Sequence, residues 1–397
     1  MTQNIHRRVF VCDPVCALPY GHNAPSLKYF RDNVEKYYDE SIALCSSALP
    51  AELVKKNKFR PDFGFYYYDY FKDVAPIDQK KRVPADITIY DDNEARATLD
   101  MQNIIASYFI NKNDTIFLPH ADFYGTIGLI NALHNIDAEA RPSVVLRFIG
   151  VMENASQLYR SPFQELMARV RSAIRAGIRM RFSAETPKYA DHLAPLLGTE
   201  VSVTAYPEMG EILPYDLDSP FTFYCAGSAR HDKGFNRLAN IFESVRSQDP
   251  ECQIRFITQL LPGKDAVSHI DQCRSVYSIP GVEVQPTAIS PELLRRTFAR
   301  SHAVLLPYDT EVYKLRGSAV LMEAIYYGRP AITFAGSAFS NIIEYYSAGY
   351  VVKDENEMID AIIKLASEKR DKLIIKAMQS RFRFNFDNNA SFSELMK

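Results

Sequence analysis

The chain has 397 residues, 47% hydrophobic and 24% charged, a length and balance that suit two globular domains and exclude a disordered or fibrous chain. Forty-six Lys and Arg nearly cancel forty-eight Asp and Glu, for a net charge of −2, which argues against a nucleic-acid binder held by bulk charge. No apolar run approaches the roughly eighteen residues of a membrane span.

The start, MTQNIHRRVFVCDP, reads directly as a strand and lacks a signal-peptide core. In the first half, short apolar runs predict strands at 8–12, 87–90, 115–119, 143–148, 178–183 and 201–206. Helical patterns lie between them at about 25–46, 93–110, 124–135, 156–175 and 187–197. Residues 63–71, FGFYYYDYF, hold seven aromatics in nine positions. They read as a strand or loop burying alternate rings or, if exposed, as a sugar-stacking or membrane-dipping surface for the acceptor.

Residues 206–220, YPEMGEILPYDLDSP, contain three prolines and no period, and read as an interdomain linker. The pattern then restarts, with strands at 221–226, 253–259, 282–285, 303–307, 330–334 and 350–352. Helices alternate with them at about 234–246, 264–275, 290–300, 317–327, 338–347 and 354–367, and a basic helix after 369 leads into RFRFNFDNNASFSELMK. Such alternation is the mark of doubly wound parallel α/β domains. It divides the chain into domain 1–205, linker 206–220 and domain 221–379. The six cysteines, at 12, 16, 45, 225, 252 and 273, form no paired metal-ligand spacing and suit reduced thiols in a cytosol.

Two segments carry chemistry. In YKLRGSAVLMEAIYYGRPAIT, Ser318 fits a helix N-cap after Arg316 and Gly317, and Glu323 lies five residues deeper. A free helix start presents unpaired N–H groups and partial positive charge, so it favours phosphate, with Glu323 in reach of a neighbouring sugar hydroxyl. An ordinary capped helix with one half-buried Glu is the plainer reading. In FTFYCAGSARHDKGFNRLANIF, a strand leads through Gly227 and Ser228 into Lys233-Gly234 and a helix. Arg230 would offer a planar fork and Lys233 a point charge to phosphate oxygens; otherwise both belong to a solvated loop. Neither GxxxxGK[ST] nor GxGxxG occurs at these turns.

Gly227, Arg230, Lys233-Gly234, Glu323-Ala324 and Gly328-Arg329-Pro330 resemble, in order and spacing, retaining GT-B glycosyltransferases of the glycosyltransferase-4 type. The resemblance covers about 220–350 well and the first half loosely. It departs twice: Ser228 stands where the family's first-turn Arg is usual, and Leu315 where the first Glu of a pair belongs. The resemblance implies two facing Rossmann-like domains, with the tail from about 380 to 397 crossing back onto the first.

It also implies metal-independent transfer, with no cofactor, from a nucleotide sugar to a glycan, lipid-linked or other hydroxyl acceptor. Donor contacts would come from Gly21, Gly227, Ser228, Arg230, Lys233, Val284, Gln285, Arg316, Gly317, Ser318 and Glu323. His120, at the end of a strand, would act near the donor sugar with Arg230 and Lys233, or else be satisfied locally beside Asp122. Arg147 reads more readily as a surface residue than as a site group. The implied location is cytoplasmic, with peripheral contact at the inner membrane face left open, and no nucleic-acid partner. The alternatives are a GT-B protein that binds nucleotide sugar or a partner without turnover, favoured by Leu315, and a sugar-nucleotide epimerase.

Overall fold

A computed structural model describes residues 6–18, 23–64, 87–150, 162–205, 211–227, 229–251, 253–259, 275–285 and 289–397, with the side chains of 87–92 and 162 left aside. The chain forms two compact units, Met1–Pro207 with Asn388–Lys397, and Glu208–Asp387.

The first unit is built on seven parallel strands: β1 (Arg8–Asp13), β2 (Glu40–Ser46), β3 (Arg60–Phe63), β4 (Thr115–Leu118), β5 (Ser143–Phe148), β6 (Met180–Ala184) and β7 (Ser202–Val203). Their order in the sheet is β3-β2-β1-β4-β5-β6-β7. All four residues of β4 are buried, as expected of a parallel strand covered on both faces. The winding reverses between β1 and β4, which leaves a crevice at their carboxyl ends.

Three parts of this unit differ from the sequence expectation. The pattern at 25–46 is a helix, Asn23–Val34, followed by β2, and no proline or glycine marks the break. The helix Ala51–Asn57 and β3 were not expected. The run 87–90, Ile-Thr-Ile-Tyr, is helical, the first turn of Ile87–Ser107. That helix buries Ala97, Met101 and Ile104 on one face, and a Cβ on Gly128 would sit 2.6 Å from the Ala97 carbonyl oxygen. Close helix–helix packing thus outweighs the local strand preference. Of the aromatic run, Phe63 ends β3 and is buried, Gly64 follows it, and 65–71 lie outside the described residues.

The second unit is a six-stranded parallel sheet, β8 (Phe221–Cys225), β9 (Ile254–Gln259), β10 (Val282–Gln285), β11 (Ala303–Leu306), β12 (Ala331–Phe334) and β13 (Gly349–Val352), ordered β10-β9-β8-β11-β12-β13. Its winding reverses between β8 and β11. The core on one face joins Phe223, Phe242 and Phe256 to Met358 and Ile362. Phe242 and Phe256 stack with centroids 4.0 Å apart.

The last helix, Arg370–Met396, buries Leu373, Ala377, Ser380 and Phe384 and then passes into the first unit. There Phe392 packs beside Phe30 and Phe117, and the Tyr38 hydroxyl donates to the Met396 carbonyl at 3.1 Å. Among the described residues no helix is long and apolar enough to cross a membrane.

Candidate functional site

In the second unit the polar groups gather at the reversal point. Beyond β8, Gly227 adopts φ 107°, in the region that favours glycine. A Cβ there would lie 2.4 Å from Lys233 Nζ, so the amine rests directly against the turn. Residues His231–Lys233 form one tight helical turn, closed by Gly234 at φ 71°. A Cβ at Gly234 would meet the Pro307 carbonyl oxygen at 1.9 Å. The missing side chain therefore lets the β8 turn press against the chain just beyond β11. The result puts Lys233 Nζ 5.5 Å from the centre of the Tyr308 ring, across the reversal point.

Ser318 caps the helix Ala319–Tyr326 as expected, its hydroxyl accepting from the Leu321 amide at 3.3 Å. Glu323 is half-buried on that helix. Burial pushes its carboxyl up to about 7, against the opposing pull of Lys233. Burial pulls the Lys233 amine down to about 8, helped by Arg230 and resisted by Asp232 and Glu323. Each charge feels the other, yet no ion pair joins them among the described residues. A partly desolvated cation and carboxylate held apart in this way are available to a ligand that carries both an anion and a hydroxyl.

Arg230 is engaged differently from the sequence expectation. Its guanidinium grips Asp232 through two bonds of 2.9 and 2.7 Å and donates to the Tyr313 hydroxyl at 3.3 Å. It braces the turn and keeps nearly half its side chain exposed. Arg316 and Gly317 lie half-buried just before Ser318, with the Arg316 charge acting on Tyr313. Gly21 and Ser228 lie outside the described residues.

Val284 and Gln285 end β10 in register with Thr258 and Gln259. Gln285 is buried, and its amide donates to the Thr297 hydroxyl at 2.8 Å, which ties β10 to the helix Pro291–Arg300. The sequence reading missed Gln259, whose Oε1 accepts from the Gly227 amide at 3.2 Å and steadies the turn. Arg329 is a structural group. Wholly buried, it donates to the carbonyls of Phe298, Leu213, Tyr327 and Pro214 at 2.8–3.1 Å and pins the segment after the linker's start.

In the first unit, His120 lies two residues beyond β4, where the sequence placed it. Its partner is Asp13, at the end of β1, with Nδ1 and Oδ2 2.9 Å apart and both side chains buried. Asp122 is turned to another task. It accepts from the Gly125 amide at 3.0 Å and caps the helix Phe123–His134. Burial raises its carboxyl to about 7, opposed by that N–H bond and reinforced by the Asp13 charge. Sequence reasoning missed Asp13 because its partner is 107 residues away. Arg147 is fully buried rather than at the surface. It donates to the carbonyls of Thr204 and Pro119 at 2.9 and 3.1 Å and lies over the Phe30 ring.

Residues 220–368 match the family model for glycosyl transferases group 1. No curated protein matches the chain in sequence. Among solved structures, the chain is similar to a trehalose-6-phosphate structure from E. coli bound with UDP-2-fluoro glucose. The TM-score is 0.67 at 10% identity, over 98% of this chain and 99% of that one. TarM superimposes with a TM-score of 0.67 at 10% identity over 100% of both chains. The apo lipopolysaccharide outer core galactosyltransferase WaaB gives 0.59 at 12% identity, over 98% and 99%. The chain has the GT-B fold, and its second unit carries the sequence pattern of the group 1 glycosyl transferases.

Proposed function

We propose that the protein transfers a sugar from a nucleotide-sugar donor to a glycan, lipid-linked or other hydroxyl acceptor, with retention and without a metal. One observation carries the reading: Lys233 Nζ lies against Gly227 at the reversal point of the second sheet, in the same electrostatic neighbourhood as Glu323 on the Ser318-capped helix. A diphosphate needs cationic and N–H partners, and a ribose or sugar needs an acceptor for its hydroxyls. This cluster supplies both. In the transfer the acceptor oxygen bonds to the anomeric carbon as the bond to the diphosphate breaks, and the acceptor proton passes to the departing phosphate oxygen. Lys233 and the helix start neutralise the charge that grows there. Within the first unit, His120 held by Asp13 is the group we assign to the reaction.

A thermal-shift screen with UDP, GDP, ADP and dTDP, with and without magnesium, tests this. We expect one nucleotide to raise the melting temperature in the absence of magnesium, and loss of that shift in Lys233→Ala. No shift with any of them from folded protein contradicts the reading. The catalytically degenerate alternative is favoured by Leu315 and by the commitment of Arg230 to Asp232. A nucleotide shift without consumption of the matching nucleotide sugar, across a panel of acceptors, would select it.

A further inference from the structure

The helix Arg370–Met396 carries a feature that sugar transfer does not use. Its inward face is the buried row Leu373, Ala377, Ser380 and Phe384. Its outward face carries Ile375, Met378, Phe382 and Phe386, spaced three, four and four residues apart and so on one side of the helix. These side chains are 55%, 50%, 72% and 67% exposed. Tyr345, 63% exposed, extends the patch, since Arg383 donates to its carbonyl at 3.1 Å and lies over its ring. Half of the large apolar side chains exposed among the described residues belong to this one surface. A contiguous apolar stripe in water is costly unless something covers it.

The charge beside the stripe indicates what does. From Lys369 to Phe386 the chain has six basic residues and one acidic residue, in a protein whose net charge is −2. Lys376 and Arg383 line a recess with Met378, Gln379 and Phe382 at the edge of the stripe. Lys376 also pairs with Glu368 at 2.9 Å, which holds its amine at that edge. Aromatic and aliphatic side chains bordered by cations match the boundary between acyl chains and anionic headgroups. A second copy of the chain would set one cationic border against another, which disfavours self-association.

We propose that this face, centred on Phe382 and Phe386, docks the protein on an anionic lipid bilayer. Apolar side chains enter the headgroup boundary, and Lys376 and Arg383 meet lipid phosphates. The proposal does not rest on the transfer reaction, and its test needs no turnover.

The test is sedimentation of the full chain with vesicles of phosphatidylcholine alone, or of phosphatidylcholine with phosphatidylglycerol, at low and high salt. We expect binding to the anionic vesicles only, weakened by salt. The double substitution Phe382→Ser with Phe386→Ser should reduce it at least about tenfold. Lys376→Gln with Arg383→Gln should weaken it as well. These positions are exposed, and an unchanged melting temperature verifies folding. The chain has no tryptophan, so Phe382→Trp adds a single fluorescent reporter whose emission should shift to the blue on anionic vesicles. Absence of vesicle binding, equal binding by the double serine variant, or an unmoved reporter would each overturn the proposal. So would a dimer that the serine variant dissolves without any lipid binding, which would assign the face to a second copy.

Discussion

His120 Nδ1 and Asp13 Oδ2, 2.9 Å apart and both buried, join the carboxyl ends of β4 and β1 at the point where the first sheet reverses its winding. Lys233 and Tyr308 bridge β8 and β11 in the same way in the second sheet. Each unit therefore places its polar chemistry where an open α/β sheet leaves a crevice.

The Asp13 contact fixes which imidazole nitrogen carries the proton. Asp13→Asn keeps the shape but weakens that preference, so we expect kcat to fall about 10–100-fold with little change in KM or melting temperature. Nitrogen NMR of His120 should show the altered tautomer. A variant with wild-type kcat and tautomer would show that the pair only supports the fold.

Gly227 is required both by its φ of 107° and by the closeness of Lys233. Gly227→Ala should cost about 1–2 kcal/mol in backbone strain and push the amine away. We expect nucleotide affinity to fall about tenfold, read by calorimetry, which corresponds to about 1.4 kcal/mol. Unchanged affinity would mean that Lys233 does not meet the phosphates.

Lys233 gives a pH dependence whose sign follows from its lowered pKa. Between about 8 and its ordinary 10.5 the unfolded chain holds a proton that the folded chain lacks, so stability rises with pH across that window. Below about 8 the folded chain bears the full cost of a desolvated cation. Lys233→Met should therefore raise Tm at neutral pH by about 2–4 °C while abolishing nucleotide binding. In the native protein, affinity for a nucleoside diphosphate should decline as pH rises above about 8, later once bound phosphate stabilises the cation. A flat affinity profile, or a lower Tm in the methionine variant, would contradict this.

Arg329, wholly buried, donates to six carbonyls, those of Phe298, Leu213, Tyr327 and Pro214 at 2.8–3.1 Å and those of Gly328 and Ala299 at 3.5 Å. Arg329→Met leaves the Leu213 and Pro214 carbonyls without a donor, while those of Phe298 and Tyr327 keep the amides of Ser301 and Leu213, and we expect a loss of about 3 kcal/mol in urea unfolding. An unchanged midpoint would show that the clamp is dispensable.

The second unit was legible because its strands are short apolar runs bounded by turn residues, and because Ser318 signals a cap by residue type alone. The first unit was less so. No breaker separates the helix Asn23–Val34 from β2, and the strand-favouring residues 87–90 are drawn into a helix by packing further along it. Arg147 reads as a surface group by its charge, yet the carbonyls of Pro119 and Thr204 make its burial tolerable. Asp13, Gln259 and the Asp232 grip on Arg230 depend on partners that spacing does not announce.

A crystal structure with the nucleoside diphosphate that gives the largest thermal shift would show whether Lys233 and Glu323 hold the donor. We expect a phosphate oxygen within about 3 Å of Lys233 Nζ and a ribose hydroxyl on the Glu323 carboxylate. A nucleotide bound elsewhere, with Lys233 and Glu323 untouched, would show that this cluster is not the donor site.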